Sequence, residues 1–153
     1  MRNCEQTVYV DADACPVKDE IEAICRKYHM NLVFVASYAH SIQQNEGYKV
    51  VMVDSRAEEV DLYIVNHCRH GDIVVTQDHG LASLLLPKGI KVISPRGKRF
   101  LNETMDELLL VRHLGQLQRR AGMRTKGPSK FTNEDILKFI EGFEKILSNK
   151  EGI

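Results

Sequence analysis

VYVDADACPVKDEI, residues 8–21, carries an apolar run straight into two aspartates, Asp11 and Asp13, and on towards a helix. TVYVDA (7–12) is continuously apolar up to its acidic end, as a strand buried on both faces is. Pro16 stands where a first helical residue is expected, and Asp19 and Glu20 follow at the positive end of the helix dipole. Ile21, Ile24, Cys25 and Tyr28 then recur at the spacing of one buried helical face. A buried strand that turns at once into a helix predicts an α/β fold with a parallel sheet.

The same alternation continues outward. NLVFVAS (31–37) and YKVVMVD (48–54) read as strands, a helix over about 57–68 buries Val60, Ile64 and Cys68, and DIVVT (72–76) is a fourth strand. A short helix from His79 carries Leu81, Leu84 and Leu85, and KVIS (91–94) is a fifth strand. Strands that are apolar throughout predict a three-layer α/β/α arrangement around a mostly parallel sheet.

After Ser94 the character changes. PRGKRF (95–100) is a basic loop, and a helix over about 102–121 carries apolar Met105, Leu108, Leu110, Leu114 and Leu117. Arg112, Gln116, Arg119 and Arg120 share a polar stripe on it. Beyond the loop MRTKGPSKF (123–131), Thr132 is positioned as an N-cap with Asp135 at N3 and Phe131 as a staple to Ile136. Ile136, Phe139, Ile140, Phe143 and Leu147 form the apolar stripe of the helix that follows, which predicts packing on its own domain.

The chain has 153 residues, 43% hydrophobic and 27% charged, which suits one domain spanning 1–153: an α/β core with the acidic site over 1–94, and the basic loop and C-terminal helices over 95–153. No apolar run approaches the ~20 residues of a membrane span and no signal peptide is evident, so a cytoplasmic protein without a membrane partner is expected. Four scattered cysteines lack C-x-x-C spacing, which argues against a zinc site or a disulfide framework. The net charge is zero, yet residues 1–86 carry 7 basic and 13 acidic side chains, whereas residues 87–130 carry 11 and 3. That segregation suggests an anionic partner for the basic segment.

In a parallel sheet, ligands bind outside the carboxyl ends of the strands where strand order reverses. Asp11 and Asp13 follow the first strand and Asp78 the fourth, so these turns share a rim, and Asp61 in EEVDLYIV sits at the margin of its helix's packed face. Convergent carboxylates repel unless one keeps its proton or a cation joins them. A hard divalent cation, Mg²⁺ or Mn²⁺, suits such oxygen ligands and would serve phosphodiester hydrolysis. Three of the four also have plain structural readings, since Asp13 could cap the helix near Pro16, Asp78 could cap the helix at 79–86, and Asp61 could be a solvated helix residue.

VDADACPVKDEI (10–21), EEVDLYIVNHCRHGDIVVTQDHGLASLLL (58–86) and SPRGKRF (94–100) together resemble the YaiI/YqxD family of bacterial proteins, itself similar to PIN-domain and NYN-type nucleases. The resemblance implies a PIN-like α/β/α fold whose acidic cluster, here Asp11, Asp61 and Asp78, holds Mg²⁺ or Mn²⁺. Related nucleases often carry another aspartate two residues after the third of these, where this chain has Gly80; Asp13 is the candidate to replace it.

The expectation is therefore a metal-dependent nuclease, with RNA favoured over DNA. Asp11 and Asp78 would ligate metal directly, and Asp13 and Asp61 would ligate it or hold its water. Arg96, Lys98, Arg99, Arg112, Arg119, Arg120 and Arg124 would orient the phosphate backbone; Phe100 is the clearest aromatic among them, so base stacking is weakly provided for. The alternatives are a nucleic-acid-binding protein without catalysis and, further off, a haloacid-dehalogenase-type phosphatase using DADAC as its D-x-D opening. A thiol mechanism at Cys15 lacks a paired histidine. The residues do not specify an oligomeric state.

Overall fold

The computed structural model describes residues 6–37, 48–56, 58–102, 105, 110, 113–118, 121–122 and 130–149. Five parallel strands and one antiparallel strand form a single sheet in the order β3-β2-β1-β4-β5-β6. They are β1 (Thr7–Asp11), β2 (Asn31–Ser37), β3 (Lys49–Val53), β4 (Ile73–Val75), β5 (Lys91–Ile93) and β6 (Arg99–Phe100). The helices are α1 (Lys18–Lys27), α2 (Glu59–His67), α3 (His79–Leu85) and α4 (Asn133–Asn149).

Alternation along the strands sorts the core into two layers, because successive side chains leave opposite faces of a sheet. Val8, Val10, Leu32, Phe34, Ile73, Val75 and Ile93 pack with Ile21 and Ile24 of α1 and with Phe139 and Phe143 of α4. Val35, Val74 and Val92 pack on the other side with Ile64 of α2 and Leu81 and Leu85 of α3. The expected three-layer α/β/α arrangement is therefore observed.

The differences from expectation have local causes. The first helix begins at Lys18, two residues after Pro16, and its N-cap Val17 has no side-chain acceptor; the chain first makes a short 3-10 turn at Ala12–Ala14. The basic loop 95–100 is in part a sixth strand. The amides of Lys98 and Arg96 both donate to the Ser94 hydroxyl, the Ser94 amide donates to the Lys98 carbonyl, and Gly97 turns the chain with φ +88°. That turn lies against α4, since a Cβ on Gly97 would stand 2.6 Å from the Lys138 carbonyl carbon and oxygen. Phe100 is 2% exposed and meets the His79 ring edge-on, so it has no face to offer a nucleic-acid base.

The C-terminal helix follows its punctuation. The Asp135 amide donates to the Thr132 hydroxyl and the Thr132 amide to Asp135 Oδ2, a reciprocal cap at the start of α4. Within the expected helix over 102–121, residues 113–118 are helical and Met105 is buried, but Leu110, Leu114 and Leu117 are exposed. No helix among the described residues is long and apolar enough to cross a membrane.

Candidate functional site

Strand order reverses between β1 and β4: β1 is followed by β2 and β3 on one side, and the chain then returns to lay β4, β5 and β6 on the other. The carboxyl ends of β1 and β4 thus flank the crevice that a parallel sheet leaves for ligands.

Register decides where each aspartate of DAD goes. Val10 pairs with Val75, so Asp11 comes level with Thr76, whose hydroxyl donates to Asp11 Oδ2 at 3.0 Å. Asp11 pairs with Val35 on the other side, so Asp13 comes level with Ser37, whose amide donates to Asp13 Oδ1 at 2.9 Å. The two carboxylates are turned to opposite neighbours of β1, one to each side of the crevice. Asp13 does not cap α1; its bond to Ser37 takes that role's place.

Asp78 does cap. Its Oδ1 accepts the Leu81 amide at 3.2 Å, and its own amide donates to the Thr76 hydroxyl at 3.0 Å. Thr76, 1% exposed, therefore links Asp11 to the turn that carries Asp78. The expected singling out of Asp11 and Asp78 did not extend to this threonine, although TQD at the end of β4 places a hydroxyl there.

Asp61 reaches the same place from α2. Its carboxyl interacts with that of Asp78, and two carboxyl groups in this relation favour a proton on Asp61. Burial first, then that interaction and the charges of Asp78, Asp11 and Glu58, push the Asp61 carboxyl up to about 7. Burial likewise raises Asp11, against the Thr76 hydrogen bond, and Asp13 and Asp78 add to the rise. Asp11, Asp61 and Asp78 thus sense one another, and Asp13 stands within electrostatic reach of Asp11.

The rim opens on a cleft of about 490 Å³ between α2 and α3, bounded by Asp61, Asp78, Glu58 and Gly80, with Leu62 and Leu84 on its apolar walls. Glu58 is an acid that sequence reasoning passed over. It is held at φ +69° immediately before α2, on the same cleft as Gly80, where no carboxylate exists.

Asp72 provides a contrast. It is 7% exposed, but Oδ1 accepts the Thr7 amide and Oδ2 the Arg69 amide, so backbone donors engage both oxygens and tie the start of β1 to the turn before β4. Asp11, Asp61 and Asp78 of the rim are also within reach of one another's charge. Cys15 is no alternative nucleophile, since burial pushes its thiol up to about 11 and keeps it protonated.

The rim's chemistry fits a hard divalent cation. Carboxylate oxygens are its preferred donors, and a cation beside Asp61 and Asp78 would offset the charge that otherwise raises the Asp61 carboxyl. Among the described residues no three His, Cys, Asp or Glu side chains form a ready metal cage.

Of the expected phosphate-binding residues, Lys98 and Arg99 are exposed on the β5–β6 hairpin. Arg96 is engaged otherwise. Its guanidinium pairs with Asp135 Oδ2 at 2.9 Å and lies over the Phe131 ring, which fastens the hairpin to the start of α4. Arg112, Arg119, Arg120 and Arg124 lie outside the described residues.

Residues 9–149 match the family model described as uncharacterized BCR, YaiI/YqxD family. A UPF0178 protein of Halalkalibacterium halodurans is 53% identical, with 100% of each chain covered. One of Bacillus cytotoxicus is 50% identical over 95% of each chain, and one of Bacillus velezensis is 48% identical over 97% of this chain and 89% of its own. No solved structure matches. With nearly its whole length covered by the family model and by these relatives, the chain belongs to the YaiI/YqxD family.

Proposed function

We propose that the acidic rim is the centre of a metal-dependent phosphodiesterase acting on nucleic acid, RNA ahead of DNA. The observation that carries this reading is the Asp61–Asp78 carboxyl pair beside Asp11 at the reversal of strand order. A fold gains nothing from holding two carboxyl groups against each other, where either could face water; a bound cation gives the arrangement a use.

Asp11 and Asp78 would hold Mg²⁺ or Mn²⁺, with Asp61 and Asp13 as further ligands or as acceptors for its waters. The ion supplies charge for a phosphoryl oxygen and a more acidic water. Thr76 orients Asp11 through its hydroxyl and steadies the Asp78 turn, so both carboxyl groups are aimed before a substrate arrives. Asp61, with a carboxyl that titrates near neutral pH, is suited to exchange a proton with a nearby water. Of the expected cations, Lys98 is exposed on the hairpin and suited to a phosphate backbone, and among the described residues its neighbour Phe100 is buried, which favours backbone over base recognition.

The experiment is cleavage of a pool of end-labelled RNA and single-stranded DNA with Mn²⁺ or Mg²⁺, wild type beside Asp78→Asn purified identically. Asparagine caps a helix about as well as aspartate, so α3 survives while the charge goes. Metal-dependent cleavage by wild type alone supports the reading. Equal cutting by both proteins, or by neither, refutes it for this pool, and metal-independent, salt-sensitive binding would then identify a nucleic-acid-binding protein without catalysis.

A further inference from the structure

On the α1–α4 face of the sheet, Lys91 and Ile93 of β5 and Arg99 of β6 line a cleft of about 250 Å³ against Lys145 and Ile146 of α4. Alternation puts the three strand residues there: Lys91 and Ile93 are two apart, and Arg99 is paired directly with Ile93. Glycines make room on both sides. A Cβ on Gly142 would come 3.1 Å from Ile93 Cδ1 and 3.3 Å from the Gly97 carbonyl, so helix and hairpin approach closely only because neither residue carries a side chain.

Three cations thus share one concave wall. Among the described residues none of the three forms an ion pair, whereas Arg96 of the same hairpin pairs with Asp135. Arg99 is exposed at the surface, yet partial desolvation lowers its guanidinium from its usual value with no carboxylate offsetting it. Like charges gathered over an apolar floor repel one another unless an anion joins them.

We propose that this cleft binds a phosphate monoester, with Arg99 and Lys145 gripping the phosphate oxygens, Lys91 completing the charge, and Ile93 and Ile146 beneath the attached sugar. The guanidinium fork matches two phosphate oxygens, and the two ammonium groups suit a dianion better than a single carboxylate. The cleft's size corresponds to a mononucleotide-sized ligand or the phosphorylated end of a chain, not a duplex. It lies on the sheet face opposite α2 and α3, apart from the acidic rim, so metal is not required.

The test is calorimetric titration of the full chain, without divalent metal and at low salt, with a nucleoside 5′-monophosphate and with its parent nucleoside. The monophosphate should bind and the nucleoside should not. Arg99→Gln and Lys145→Gln should each weaken binding about tenfold, and Arg26→Gln on α1 should leave it unchanged. Lys145 is exposed on its helix, so its variant keeps the test decisive if Arg99→Gln disturbs β6. No binding, or binding unaltered in Lys145→Gln, overturns the site. A 5′-phosphorylated oligonucleotide binding better than its 5′-hydroxyl form identifies a chain end as the source, and monophosphate binding without that preference identifies a free small molecule. Asp78→Asn should bind the monophosphate normally, which separates this inference from the nuclease reading.

Discussion

The acidic rim and the basic cleft lie on one sheet and handle like charges in opposite ways. At the rim, backbone register draws Asp11 and Asp13 to opposite neighbours of β1, and Asp61 and Asp78 are left close enough for each other's charge to raise the Asp61 carboxyl. In the cleft, three cations line the space between the β5–β6 hairpin and α4, which approach closely at Gly97 and Gly142. On the proposed reading, the rim would take a small, highly charged ion between carboxylate oxygens. The cleft suits a larger anion that spans several donors. Shape, as well as sign, therefore distinguishes the two.

The sharpest way to break the comparison is to remove charge from the rim. Asp11→Asn and Asp78→Asn should each lower metal-dependent cleavage on the order of a thousandfold, with circular dichroism unchanged; retention of wild-type rates by either variant would exclude that residue from the chemistry. Next in size is the support beneath the cleft. Gly97→Ala would put a side chain on a left-handed residue and against the Lys138 carbonyl, and should cost at least about 2 kcal/mol on denaturant unfolding. A cost near zero would mean that the hairpin does not rest on α4 as described.

A smaller effect concerns pH. The Asp61 carboxyl titrates at about 7 in the folded chain against 3.8 for an ordinary aspartate, so the folded state binds the extra proton. Its contribution to stability is fully present below about pH 4 and is lost as pH rises through about 7. Without divalent metal, Asp61→Asn should gain melting temperature relative to wild type on going from about pH 5 to about pH 8, and Mg²⁺ or Mn²⁺ should narrow the difference at the higher pH. A gap independent of pH would show that the carboxyl pair is not strained. Smallest is Thr132→Ala, which removes the cap of α4 and should cost about 1 kcal/mol with the rim's activity unchanged.

Much of this was legible in the sequence, and for specific reasons. Apolar strands ending in acids announced a parallel sheet with carboxylates at its rim, and Thr132 with Asp135 announced the start of α4, because both signals depend on neighbours in the chain. The burial of Phe100 could not be read from its basic neighbours, since its contact with His79 depends on how α3 lies against the sheet. Arg96 was grouped with its basic neighbours until Asp135, 39 residues on, proved to be its partner. Thr76 and Glu58 gave too faint a local signal to single out.

The sequence by itself determined which segments are strands and helices and that Asp11, Asp13 and Asp78 stand at strand ends, because periodicity, capping and apolar runs act over a few residues. Tertiary structure alone decided that β4 lies beside β1, that Thr76 bonds Asp11, that Asp61 meets Asp78, and that Lys91, Arg99 and Lys145 surround one cleft. Those relations depend on strand order and register, which come from the burial of two whole sheet faces and not from any short stretch of chain.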